Sequence, residues 1–143
     1  MSRYTVEYLP HLPEGEKRAY NAESYREVRD VMKRIYEEDP SYWPYGLDIP
    51  GHHDVYAIRD NQTEKIAGFV GWQEFTRGGK KVGSYSIGIL PEYRGKGFAK
   101  EAVAKVLLQK AAGVDSVCAY VMSHNTPSKH LAATLHIPVQ EKF

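Results

Sequence analysis

At 143 residues and 16.3 kDa the chain has the size of one ordinary domain, which excludes a multidomain assembly within it. A content of 42% hydrophobic and 26% charged residues excludes a disordered or fibrous chain, and nineteen Lys and Arg against eighteen Asp and Glu leave a net charge of +1, short of the basic balance of a dedicated nucleic-acid binder. With Cys118 as the one cysteine, neither an intrachain disulfide nor a thiolate metal cluster can form, and a reducing cytoplasm is the compartment that fits.

The first ten residues, MSRYTVEYLP, lack a basic segment followed by an apolar run, so neither export nor membrane insertion is expected. No repeat, low-complexity tract or Ser/Gly linker interrupts the sequence, and residues 1–143 are expected to form a single domain. Residues 4–9 alternate β-branched or aromatic with polar side chains and predict a short strand, ended by Pro10 and Pro13. Ser24 with Glu27 three residues later fits a capping box. Tyr25, Val28, Val31, Met32, Ile35 and Tyr36 then recur at three and four, which predicts an amphipathic helix closed by Pro40. The stretch 41–54, SYWPYGLDIPGHHD, has neither period and reads as a long structured loop or a short helical turn.

Three strands are predicted next, over 55–59, 65–75 and 80–90. They are joined by Asp60-Asn61-Gln62-Thr63 and by Arg77-Gly78-Gly79, two hairpin turns that make the segment an antiparallel meander. A helix over 98–112 presents Ala99, Val103, Val106, Leu107 and Ala111 on one face and stops at Gly113. A strand over 116–121 and a short helix over 128–135 complete the pattern, and only six residues follow Ile137. Strands clustered first and a strand-helix-strand unit later predict a mixed α/β or α+β sheet.

The stretch from Ile87 to Ala99 is the one that suggests chemistry, because it sets glycines between a strand end and a helix start. A helix N-terminus presents unpaired N–H groups and roughly half a positive charge, and glycines let a ligand approach the backbone, a combination that binds phosphate. Eight basic residues (77, 80, 81, 94, 96, 100, 105 and 110) against two acidic ones (92 and 101) concentrate positive charge around this loop. The alternative is a polar turn followed by a solvated basic helix. No window has the spacing of a P-loop, and a dinucleotide-binding fingerprint beginning at Gly95 would need glycine or alanine where Lys100 stands.

Arg94-x-x-Gly97-x-Ala99, directly after a strand ending in Ile-Leu-Pro-Glu-Tyr, resembles the signature loop of the GNAT superfamily of N-acetyltransferases, Gln/Arg-x-x-Gly-x-Gly/Ala. The run Asn125-Thr-Pro-Ser128-Lys-His-Leu131 resembles the family's second signature, an Asn before a short helix, and the order of elements also agrees. The resemblance covers residues 55–137 well and the first fifty in outline. It implies a mixed, mostly antiparallel central sheet with helices on both faces, splayed between the fourth and fifth strands.

It further implies acetyl-CoA as acyl donor, with the pyrophosphate held by the amides of Gly95, Lys96, Gly97, Phe98 and Ala99 beside Arg94 and Lys96. The pantetheine arm would lie as an extra strand between Ile87, Gly88, Ile89 and Leu90 on one side and residues 117–121 on the other. Gly88 would mark a bulge or a close backbone approach. The backbone of Ile89 would meet the thioester carbonyl, and Asn125 and Ser128 would meet the pantetheine amides or the reacting groups. For Asn125 the alternative is a helix-start residue, and for Ser128 a helix cap.

Direct transfer needs a base for the incoming amine and usually an acid for the departing thiolate. Glu74 and Tyr85, on the meander strands, are the candidate bases, acting directly or through water. The position where many family members carry the acidic tyrosine holds Ala132 here, which leaves Tyr120, His124 and Ser128 as nearby substitutes. The usual family glycine after the second-motif helix is His136, and the closing strand pair is reduced to residues 138–143. The last sheet edge is therefore expected to be open and covered by a second subunit, as in a homodimer, or by the N-terminal segment.

The acceptor is read as a primary amine, on a small molecule or on a protein. A second reading keeps the scaffold as a CoA-binding or partner-binding protein without transfer, and nucleic-acid binding through the basic patch ranks below both. His52-His53-Asp54 reads as loop rather than metal site, Tyr42, Trp43 and Tyr45 as core plug or acceptor wall, and Cys118 as a packing residue.

Overall fold

The computed structural model describes residues 3–9, 22–38, 54–95, 97–122 and 126–142. The chain runs β1 (Tyr4–Leu9), α1 (Ala22–Glu38), β2 (Asp54–Asp60), β3 (Ile66–Arg77), β4 (Lys80–Ile89), α2 (Phe98–Lys110), β5 (Ser116–Met122), α3 (Thr126–Thr134) and β6 (Val139–Lys142). Short 3-10 turns at Pro91–Tyr93 and Ala111–Gly113 bracket α2. The six strands lie side by side in chain order. From β1 to β4 each pair is antiparallel, β2–β3 and β3–β4 through short hairpins and β1–β2 through the long segment that contains α1, whereas β4 with β5 and β5 with β6 are parallel, with a helix carrying each crossover.

Alternation along the strands builds two cores. Val55, Ala57, Ile66, Phe69 and Leu90 face α1, which contributes Val28, Val31, Met32 and Ile35, four of the residues its three-and-four spacing predicts. Tyr56, Ile58, Val70, Trp72, Tyr85 and Ile89 face the opposite way and pack with Phe98, Val103 and Val106 of α2 and Ala132 of α3. Helices thus cover both faces, and the residues from Ile66 to Trp72 are buried throughout because β3 is covered on both sides. Each such large side chain contributes roughly 1.5–3 kcal/mol of transfer free energy.

Several expectations are corrected. The first helix begins at Ala22, so Ser24 lies inside it rather than capping it. The third helix begins at Thr126, two residues before Ser128. Residues Val139–Lys142 form a sixth strand beside β5, so the fifth strand is not the open edge; the N-terminal strand pairs with β2, at the opposite end of the sheet. The β3–β4 register runs unbroken from Gly68↔Ile89 to Arg77↔Lys80, so Gly88 carries no bulge.

His136, in the place of the usual glycine, adopts the left-handed conformation (φ 58°) and closes α3. Its N–H donates to the Ala133 carbonyl at 3.1 Å and that of Ile137 to the Ala132 carbonyl at 2.9 Å, the paired bonds of a Schellman ending. Among the described residues no helix is long and apolar enough to cross a membrane.

Candidate active site

The two halves of β4 have different neighbours. Val82, Gly83, Ser84 and Tyr85 pair with Ser116, Val117, Cys118 and Ala119 of β5. Beyond that rung β5 turns to its other neighbour: Ala119 to Met122 pair with Val139 to Lys142, and the Ala119 N–H donates to the Pro138 carbonyl at 2.9 Å. Ser86, Ile87, Gly88 and Ile89 consequently have β3 on one side and, among the described residues, no strand on the other, which is the splay predicted between the fourth and fifth strands.

Which backbone groups face the opening follows from antiparallel geometry. The Leu90 N–H donates to the Ala67 carbonyl of β3 at 2.9 Å. Hydrogen-bonding direction alternates along a strand, so Ile89 and Ile87 direct their N–H and C=O groups away from β3 and into the opening. Gly88 lies between them facing α1, where a Cβ would sit 2.6 Å from the Phe69 ring and 3.0 Å from Ile35 Cδ1. The glycine there is required by side-chain packing across the sheet.

At the head of the opening the chain passes through Gly95 (φ 76°) and Gly97 (φ 81°), both left-handed, where glycine costs least. Neither would bring a Cβ within 4 Å of another atom, so the space in front of both is open. Gly97 is the N-cap of α2, and no side chain among the described residues caps the helix, which leaves the first-turn N–H groups of Phe98 and Ala99 directed outward. The first turn is held from behind. Phe98 is buried against the rings of Tyr4, at 4.6 Å, and Tyr93, at 5.7 Å, and the Tyr4 hydroxyl bonds to the Glu101 carboxylate one turn along. Burial, and after it that bond, hold the Tyr4 phenol well above its ordinary pKa.

Arg94 does not point its guanidinium along the glycine loop. Its Nε donates to the Ile89 carbonyl at 3.0 Å and its Nη1 to Glu38 Oε1 at 2.6 Å, while Arg34 makes a two-pronged pair with Glu92 at 2.9 and 3.0 Å. Arg94 therefore occupies the last carbonyl of the opening and braces the loop against the end of α1, leaving Ile87 and the Ile89 N–H as the open backbone groups of β4. Lys96, Asn125 and His124 lie outside the described residues, as do Tyr42, Trp43, Tyr45, His52, His53 and the Tyr120 side chain.

The structure separates the candidate proton-transfer residues. Glu74 is on the α2 side of β3, opposite Gly83 in the closed half of the sheet. Its carboxylate accepts from Trp72 Nε1 at 2.9 Å and pairs with Lys81 at 3.2 Å, and the Trp72 bond, ahead of Lys81, holds its pKa below the ordinary value. Tyr85 stands on the last rung shared with β5; it is 6% exposed, and burial pushes its phenol up to about 12. Ser86 follows on the opposite face, towards α1. The hydroxyls of Tyr85 and Ser86 are both buried without a hydrogen-bond partner among the described residues. Ser128 is part-exposed in the first turn of α3, and Ala132 is fully buried in the same core as Tyr85. The sequence reading did not single out Ser86. Its signal was available in the strand alternation, which puts it on the other side of the sheet from Tyr85 at the same point.

An opening between parallel strands, headed by an uncapped helix N-terminus behind two left-handed glycines, defines a site for an extended ligand with an anionic head. Residues 4–137 match the family model described as the acetyltransferase (GNAT) domain, and the chain belongs to that family. It is 29% identical over 93 residues to YycN, an uncharacterized N-acetyltransferase of Bacillus subtilis (strain 168), a match that covers 62% of this chain and 56% of that protein. Among solved structures, the ribosomal-protein-S5-alanine acetyltransferase of Vibrio fischeri is similar with a TM-score of 0.66 at 20% identity, covering 94% of this chain and 79% of that one. AAC(6')-Iy, solved with the bisubstrate analogue CoA-S-monomethyl-acetylneamine, is similar with a TM-score of 0.68 at 18% identity, covering 99% and 95%. At these identities the solved structures speak for the fold.

Proposed function

We propose that this chain transfers an acetyl group from acetyl-CoA to a primary amine by direct attack. The observation that carries the reading is the alignment of the open half of β4 with the uncapped start of α2, since one ligand with a phosphate head and an amide-bearing arm would satisfy both. In this reading the amides of Gly95, Lys96, Gly97, Phe98 and Ala99 hold the pyrophosphate, with Lys96 adding charge. Ile87 and Ile89 offer backbone bonds to the arm beside Leu90, and Asn125 and Ser128 meet it from the start of α3. Arg94 acts as the brace of the loop rather than as its phosphate ligand.

Attack requires a neutral amine next to the thioester carbon. Glu74, with its lowered pKa and its two partners, accepts a proton poorly at neutral pH, so we assign the orienting of the amine to Ser86, whose hydroxyl has no partner among the described residues. Two similar solved proteins, the ribosomal-protein-S5-alanine acetyltransferase and AAC(6')-Iy bound to a bisubstrate analogue that joins CoA to acetylneamine, support the amine class of acceptor without choosing within it. The test is incubation with acetyl-CoA and a panel of amines (spermidine, a lysine peptide, an alanine-terminated peptide, an aminoglycoside) while free thiol is followed. Amine-dependent release is expected. Tight CoA binding without release on every acceptor would favour the non-catalytic reading, and no CoA binding would remove both.

A further inference from the structure

Three tyrosines enter the core between the sheet, α2 and α3, and two of them have polar partners. Tyr4 bonds to Glu101 and Tyr56 to Lys110. Tyr85 does not: its hydroxyl is buried with no partner among the described residues, in an apolar cluster that includes Ala119, Ala132, Val103 and Val106. Buried hydroxyls are paired in the great majority of native structures, so an orphan of this kind points to a ligand atom or to strain. Its place is specific. Tyr85 is the last residue of β4 opposite β5, and the next residue begins the opening. The fully buried residues that β5 and α3 add to this cluster are Ala119 and Ala132, which bring no polar group of their own.

We infer that the Tyr85 hydroxyl is the hydrogen-bond donor for the sulfur of CoA at the closed end of the opening. The inference rests on the acetyl-CoA reading above and deepens it. As the amine nitrogen bonds to the thioester carbon, the carbon–sulfur bond breaks and its electron pair goes to sulfur. The proton shed by nitrogen passes to solvent. Tyr85 keeps its own proton throughout: burial pushes the phenol up to about 12, so it stays a donor at neutral pH and stabilises the thiolate by a charge-assisted bond instead of protonating it. No acid is then needed at position 132. Tyr85 would be a catalytic residue by contact with the leaving atom, reached from a strand and not from the helix after β5.

Titration of the full chain with CoA and with desulfo-CoA, which lacks the sulfur, tests this without knowledge of the acceptor. At about pH 9, where an ordinary thiol is largely ionised, wild type should prefer CoA by about tenfold or more. Tyr85→Phe should abolish the preference while binding desulfo-CoA within about twofold of wild type. A preference that survives in Tyr85→Phe, or equal affinities in wild type, overturns the inference and leaves the acetyl-CoA reading standing; failure of wild type to bind either ligand overturns both. Thermal melting supplies a check on folding. Because the hydroxyl has no partner among the described residues, Tyr85→Phe should melt at or above the wild-type temperature, and a fall of more than about 4 °C would reveal a structural role and sink the assignment.

Discussion

The lower half of β4, Val82 to Tyr85, and the upper half, Ser86 to Ile89, belong to one strand with one unbroken register to β3, yet one half is sealed and the other is open. The difference lies on the far side, in β5, which keeps to β4 for four residues and then gives its hydrogen bonds to β6. An opening of this kind needs no bulge and no strain in β4 itself. It needs a neighbour with somewhere else to go. The sealed half is consequently where packing should be least forgiving, and the open half where ligand effects should dominate.

The largest effect expected from that contrast is at Gly83. A Cβ there would lie 2.2 Å from the ring of Trp72, which is 1% exposed, so Gly83→Ala should cost about 3 kcal/mol in denaturant melts. Gly88→Ala, in the open half, meets Phe69 and a movable Ile35 methyl and should cost about 1–2 kcal/mol; equal costs would break the comparison. Next is Gly97→Glu. A left-handed φ costs a non-glycine residue about 1–2 kcal/mol, and a carboxylate in front of the helix start repels phosphate, so CoA affinity measured by calorimetry should fall more than tenfold.

A smaller effect of opposite sign is expected at His136, outside both halves. His136→Gly relieves the left-handed cost at the end of α3 and should raise stability by about 1 kcal/mol without altering CoA affinity. The smallest concerns Glu74. Its folded pKa is depressed, so its contribution is present at neutral pH, above the ordinary value of 4.5, and disappears as the pH falls through the folded value. Wild type and Glu74→Gln should therefore differ by at most about 1 kcal/mol at pH 7, with urea midpoints that converge in acid.

Much of this architecture could be read from local pattern. Alternation and turn residues mark the meander, the three-and-four spacing of Val28, Val31, Met32 and Ile35 marks the buried face of α1, and the glycines at 95 and 97 mark the loop. What could not be read depends on partners distant in sequence. Gly88 looks like a bulge residue until Phe69 and Ile35 are seen against it. Arg94 looks like a phosphate ligand until Glu38, fifty-six positions earlier, is found on its Nη1. Glu74 reads as a free carboxylate because its spacing to Lys81 crosses a hairpin, although Trp72, two residues away on the same side of the strand, was a visible hint. The short tail after Ile137 has too few residues for a period of its own, and only the crossover through α3 makes it a strand.

Cys118 sits opposite Ser84 on the sealed rungs and is buried at 7% exposure. A thiol-reactive dye added to the folded chain will therefore register released CoA against little background from the protein. In the absence of acetyl donor the same dye becomes a clock: its slow labelling of this single sulfhydryl counts how often β4 and β5 come apart below the fork.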